Sequence, residues 1–142
     1  MKVYIVDDDY YTATIISEIL ISAGIEADYS LNVDKDLVSN IEEFDPDVII
    51  LDIHLSENND GVDLCISLKC SDKLKDKLYL AISSDINTLT KIRAYGVGFV
   101  DFVEKPFVSD NLVNRVKRYG ILSSILKSCD ELVTPNLSEI GT

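Results

Sequence analysis

The chain has 142 residues, 46% of them apolar, and a formal net charge of −12. That length and apolar content suit one domain with its own core and exclude a disordered segment. No basic cluster interrupts the acidity, which argues against nucleic acid and anionic membrane surfaces as partners of this chain. The residues before Asp7 are too few for a secretory leader, and no apolar run approaches membrane-spanning length, so a cytoplasmic location is expected. Three cysteines, Cys65, Cys70 and Cys129, make an odd number without metal-site spacing and read as free thiols.

In chain order, Val3-Tyr4-Ile5-Val6 is the first strand candidate and runs into Asp7-Asp8-Asp9. Ile15, Ile16, Ile19, Leu20 and Ala23 form an apolar stripe at helical spacing, and Gly24 follows as a natural helix end. Ile25 to Tyr29 is a short, weak strand. Leu37, Val38, Ile41 and Phe44 make the next helical stripe, with Asn32 or Asp34 as caps, and Pro46 closes it. Val48-Ile49-Ile50-Leu51 then leads directly into Asp52. A continuous apolar run with β-branched residues and an upstream proline favours a strand covered on both faces, the habit of a parallel sheet.

Ser56 to Gly61 is a polar turn by composition. Val62, Cys65, Ile66 and Leu68 give a third helix. Leu78 to Ile82 is a third strongly apolar strand, ending in Ser83-Ser84-Asp85. Ile86, Leu89, Ile92 and Ala94 suggest a fourth helix broken by Gly96 and Gly98. Phe99 to Val103 is the last strand, followed by Glu104-Lys105-Pro106. Ser109 or Asp110 caps a final helix through Leu112, Val113, Val116 and Tyr119, which can run past Gly120 to Leu126. Residues 1–128 are expected to form the domain, and residues 129–142 a loose tail or linker. Strands alternating with helices predict an α/β fold with a doubly wound, five-stranded parallel sheet of flavodoxin-like type, (βα)5.

In such a sheet the strand ends share one edge, where ligands bind. That edge would collect Asp7 to Asp9, Asp52, Ser83 with Ser84, and Lys105. Each alone has an ordinary explanation. An acidic triplet suits a helix N-terminus, a serine caps a helix, and a lysine is solvated surface. Together on one edge they form a pocket of repelling carboxylates that a cation would relieve, and hard oxygen donors suit Mg²⁺.

The motifs Val6-Asp7-Asp8, Leu51-Asp52-Ile53 with Asp60-Gly61, Ile82-Ser83-Ser84 and Lys105-Pro106-Phe107 resemble those of the response regulator receiver domain of two-component signalling, of the chemotaxis-regulator-like kind. The resemblance covers roughly residues 2 to 127. It implies that Asp52 is the phosphoacceptor and that Mg²⁺ is held by Asp8, by Asp7, by Asp52 and by the backbone carbonyl of His54. It also implies that Ser83 and Lys105 bind phosphoryl oxygens, that Phe102 with Ser83 forms the switch, and that the Lys105-Pro106 bond is cis. Phe102 lacks the hydroxyl of a tyrosine, which favours an inward rotamer. The family implies a histidine kinase or histidine phosphotransfer protein as donor. It further implies a downstream protein on the face of the fourth helix, last strand and last helix, and a phosphorylation-dependent homodimer. The usual proline soon after the phosphoacceptor is absent, the loop to Gly61 is one residue longer, and His54 and Asp85 occupy rim positions.

Two other readings compete. Asp7-Asp8-Asp9 also fits a haloacid-dehalogenase-like Mg²⁺ phosphohydrolase with Asp7 as nucleophile and Asp9 as acid, although the late acidic pair is missing and the chain is short for such an enzyme. A flavodoxin-like FMN site is disfavoured, because three carboxylates would repel the phosphate. On the leading reading the chain is a signalling module rather than an enzyme, as a whole protein or as the receiver part of a longer regulator.

Overall fold

The computed structural model describes residues 1–56, 59–84 and 87–140. Its elements are β1 (Lys2–Val6), α1 (Tyr10–Ser22), β2 (Glu26–Ser30), α2 (Leu37–Phe44), β3 (Val48–Asp52), β4 (His54–Ser56), β5 (Asn59–Asp60), α3 (Gly61–Lys69), β6 (Leu78–Ser83), α4 (Thr88–Val97), β7 (Phe99–Glu104) and α5 (Ser109–Ile140). Five strands form one parallel sheet in the order β2-β1-β3-β6-β7. The chain winds outward from β1 to β2, then returns to β3 and proceeds the other way. That reversal opens a crevice at the carboxyl ends of β1 and β3.

Alternation of side chains across the strands splits the core into two layers. Val3, Ile5, Val48, Ile50, Leu80 and Ile82 pack with Ile16 and Leu20 of α1 and with Leu112 and Val116 of α5. Tyr4, Val6, Ile49, Leu51, Tyr79 and Ala81 pack with Leu37 and Ile41 of α2, Leu64, Cys65 and Leu68 of α3, and Ala94 of α4. Both faces of the central strands are therefore covered, as their unbroken apolar runs require. At the opposite edge from the crevice, Asp47 accepts from the Lys2 amide at 2.9 Å and from Lys127 Nζ at 2.7 Å, tying α5 to the sheet.

The structure departs from expectation in four places. Beyond the five-stranded sheet, β4 and β5 form a small antiparallel pair inside the loop after β3. Leu55 is buried there. Gly96 lies within α4, and only Gly98, at φ 106°, ends the helix. Ile15, Ile66, Leu89 and Ile92 sit on helices but face outward. Finally, α5 continues to Ile140, so the backbone of residues 129–140 is helical. The expected positions Asp85 and Ile86, and part of the turn before Gly61, lie outside the described residues.

One glycine positions the site. Gly61 opens α3 hard against the end of β3, where an added Cβ would come within 2.2 Å of the Asp52 carbonyl oxygen. Its amide donates to the Ile53 carbonyl at 2.8 Å, and Asp60 caps the helix by accepting from the Val62 amide at 2.7 Å. No side chain fits without moving the backbone that carries Asp52. Gly61→Ala is therefore expected to lower stability by about 1–3 kcal/mol in a urea titration.

Candidate functional site

Each strand end delivers one chemical group to the crevice. β1 ends at Val6, so Asp7 follows at its tip and is fully buried. β3 ends at Asp52, which is 4% exposed. β6 ends at Ser83, also fully buried. Lys105 follows β7, and its amide donates to the Ser83 carbonyl at 2.8 Å, which joins the last two strand ends. The Lys105-Pro106 bond is cis.

The Lys105 ammonium lies between two carboxylates, 3.0 Å from Asp52 Oδ2 and 3.1 Å from Asp7 Oδ2. Asp7, Asp8 and Asp52 each present an oxygen, all within 4.8 Å of one another, a grouping able to hold a metal ion. Asp7 and Asp52 are buried, while Asp8 is exposed at the mouth. The other oxygens are held by backbone. Asp52 Oδ1 accepts from the His54 amide at 2.9 Å, and Asp7 Oδ1 accepts from the Asp9 amide at 2.9 Å. One lysine thus faces three carboxylates, which leaves the pocket short of positive charge. All-oxygen, partly exposed donors fit a hard divalent cation such as Mg²⁺.

The imbalance shows in the acidities. Burial, and then the charge of Asp7, push the Asp52 carboxyl up to about 6 against the opposing pull of Lys105. Burial works against the Lys105 ammonium, but its hydrogen bonds and charge pairing with Asp52 and Asp7 outweigh this and hold its pKa above the ordinary value. Asp9 behaves differently. It lies outside the pocket and accepts from the Thr12 hydroxyl at 2.6 Å, a bond that lowers its pKa. An aspartate held more firmly ionised is poorly suited to act as the acid of a phosphohydrolase.

Phe102 of β7 is buried with its ring 5.0 Å from that of Tyr95 on α4, in an edge-on arrangement. Arg93 of α4 reaches Asp60 at 3.3 Å, so the loop that follows Asp52 is tied to α4 by an ion pair that the sequence did not signal. Along the same helix Leu89, Ile92 and Tyr95 are exposed.

A parallel sheet whose strand ends gather two buried aspartates, an exposed one, a serine and a bridging lysine defines a receiver. The chain belongs to the response regulator receiver domain family, whose model matches residues 3–117. The cell cycle transcriptional regulator CtrA of Caulobacter vibrioides is 28% identical over 138 residues, covering 94% of this chain and 58% of CtrA. Crystalline NtrX from Brucella abortus superposes with a TM-score of 0.82 at 27% identity, over 92% of this chain and 29% of NtrX. The chemotaxis protein CheY4 of Vibrio cholerae shares the fold, with a TM-score of 0.76 at 22% identity over 83% of this chain and 97% of CheY4. The chain thus spans little more than half of CtrA.

As a receiver domain it is a signalling module of the kind found in two-component systems. Nothing in the comparisons favours the phosphohydrolase reading. Among the described residues, no helix is long and apolar enough to cross a membrane.

The raised Asp52 pKa has a thermodynamic consequence. Between about pH 4 and 6 the folded chain binds more protons here than the unfolded chain, so this group's contribution to stability falls as pH rises through that window. In metal-free buffer at pH 7, Asp52→Asn is expected to melt higher than the wild type. The gap should close below pH 4, as read by calorimetry.

Proposed function

We propose that Asp52 accepts a phosphoryl group from a phosphohistidine donor and that this event reshapes the surface around α4, β7 and α5. The observation that carries the reading is the Lys105 ammonium held between Asp52 and Asp7, beside the exposed Asp8. Phosphoryl transfer asks a protein chiefly for an aligned nucleophile and for positive charge around the moving oxygens. Asp52 supplies the nucleophilic oxygen. Lys105 can release Asp52 Oδ2 and pair instead with a phosphoryl oxygen. Asp7 and Asp8, together with Asp52 and the backbone carbonyl of His54, would hold Mg²⁺. When bound, that ion neutralises the carboxylates and the charge developing on the transferred group.

Ser83 would donate to a phosphoryl oxygen of the product. Its inward movement would change the space beside Phe102, whose ring touches Tyr95 of α4. The buried Phe102 ring and the exposed Leu89, Ile92 and Tyr95 support a partner surface on this side. An unknown downstream protein would dock there, and a phosphorylation-dependent homodimer could use the same face. Residues 1–128 would carry the receiver, with residues 129–142 as a tail or linker that continues α5 as far as Ile140, in the cytoplasm. The chain's own catalysis would be confined to its phosphorylation and dephosphorylation.

Incubation with Mg²⁺ and acetyl phosphate should add one phosphoryl group per chain by mass spectrometry. Asp52→Asn should abolish the adduct. Asp8→Asn should raise the Mg²⁺ concentration needed by at least about tenfold. Labelling that survives Asp52→Asn but is lost in Asp7→Asn would replace this reading with the phosphohydrolase one.

A further inference from the structure

We propose that Arg93 of α4 is a positioning residue for Asp52 and its cation, acting through Asp60. The inference rests on the reading of Asp52 as phosphoacceptor. Arg93 pairs with none of the pocket's carboxylates; among the described residues its ion pair is with Asp60. Three elements meet at that aspartate, which ends β5, caps α3 and holds α4. Asp60 Oδ1 accepts from the Val62 amide at 2.7 Å, while Oδ2 accepts from Nη1 and Nη2 of Arg93, both at 3.3 Å. In the β4–β5 ribbon Asp60 stands opposite His54. The His54 amide in turn donates to Asp52 Oδ1 at 2.9 Å. One strand pairing and two sets of hydrogen bonds therefore link Arg93 to the phosphoacceptor carboxylate.

The segment has little else to hold its outer side. Ile53 to Asp60 contains no proline to fix a backbone angle. β4 and β5 are three and two residues long, and so short a ribbon is not stable by itself. Ile53 and Leu55 anchor its inner side by burial, and the Gly61 amide closes its base on the Ile53 carbonyl at 2.8 Å. Toward α4, the described tether is the Asp60–Arg93 pair. The His54 backbone carries both the amide that orients Asp52 and the carbonyl proposed above as a Mg²⁺ ligand. A shift of the ribbon displaces both together.

Positioning differs in sign from a plain charge effect. Removing a cation near an acidic pocket makes the pocket more negative, which by Coulomb attraction tightens a dication. Releasing the ribbon misplaces the His54 group, which weakens it. The pair is partly solvated, with the Arg93 and Asp60 side chains 49% and 34% exposed, so the effect it can transmit is limited to about fivefold in affinity.

Calorimetric titration of the unphosphorylated chain with Mg²⁺ tests this. Arg93→Gln should raise the Mg²⁺ dissociation constant by about three- to fivefold. Without metal it should also shift the His54 amide resonance in a nitrogen-15 NMR spectrum, while the far-UV circular dichroism stays that of the wild type. Asp60→Asn keeps an oxygen for the Val62 amide but loses the ion pair, and should weaken Mg²⁺ at least as much. Adding Arg93→Gln to Asp60→Asn should then change nothing further. Charges acting alone would instead make the two substitutions offset each other. An unchanged or tighter Mg²⁺ constant in Arg93→Gln, an unmoved His54 amide, or a double variant that returns toward the wild type would each overturn the proposal. Labelling of the wild type by acetyl phosphate separates the two failures. A labelled wild type with any of those results removes the role of Arg93 alone, whereas an unlabelled wild type removes the reading of Asp52 and this inference with it.

Discussion

The site depends on one lysine placed among too many carboxylates. Lys105 Nζ contacts Asp52 and Asp7 at 3.0 and 3.1 Å, and it can offset only part of their charge with Asp8 close by. Burial enforces the arrangement, because neither Asp7 nor Asp52 can escape into water. The protein accepts an unfavourable local electrostatic balance, visible in the raised pKa of Asp52, where a packed apolar edge would have been more stable. Such a balance is the usual mark of a site kept for chemistry.

The rest of the fold holds that cluster in place. Parallel pairing brings the ends of β1, β3, β6 and β7 to one edge, and the two core layers fix each strand so that its terminal residue cannot retreat. Gly61 lets α3 approach the Asp52 backbone more closely than any side chain would allow. From the pocket, two contacts lead outward to α4. The Asp60–Arg93 pair comes from the loop after β3, and the Phe102–Tyr95 ring contact comes from β7. A charge change at Asp52 therefore meets two links to the same helix, whose outer face is apolar.

Much of this was legible in the chain because it is written in patterns that burial enforces. Unbroken β-branched runs such as Val48 to Leu51 demand cover on both sides, and the chemical groups follow those runs directly. Membership of the receiver family could be read from the joint spacing of Asp7, Asp8, Asp52, Ser83 and Lys105, although none of them would have sufficed alone. What escaped depends on direction rather than pattern. Leu89 and Ile92 have the spacing of a core stripe, yet α4 turns them to solvent, since apolar periodicity does not say which face meets the sheet. The β4–β5 pair is too short to leave a periodic signal, and Arg93 meets Asp60 across 33 residues of sequence. Gly120 is a poor helix former, yet a helix anchored by Leu112 and Val116 and by the Lys127–Asp47 pair carries on through it, beyond the Leu126 that the apolar pattern reached.

The central claim is that Asp52 sits in a pocket whose negative charge a divalent cation relieves. A carbon-13 NMR titration of the aspartate carboxyls tests it most directly, with the Asp52 resonance assigned by Asp52→Asn. Without metal, the midpoint for Asp52 should lie near 6, and added Mg²⁺ should drive it down into or below the ordinary aspartate range. A midpoint that lies in the ordinary range without metal and does not respond to Mg²⁺ would contradict the account.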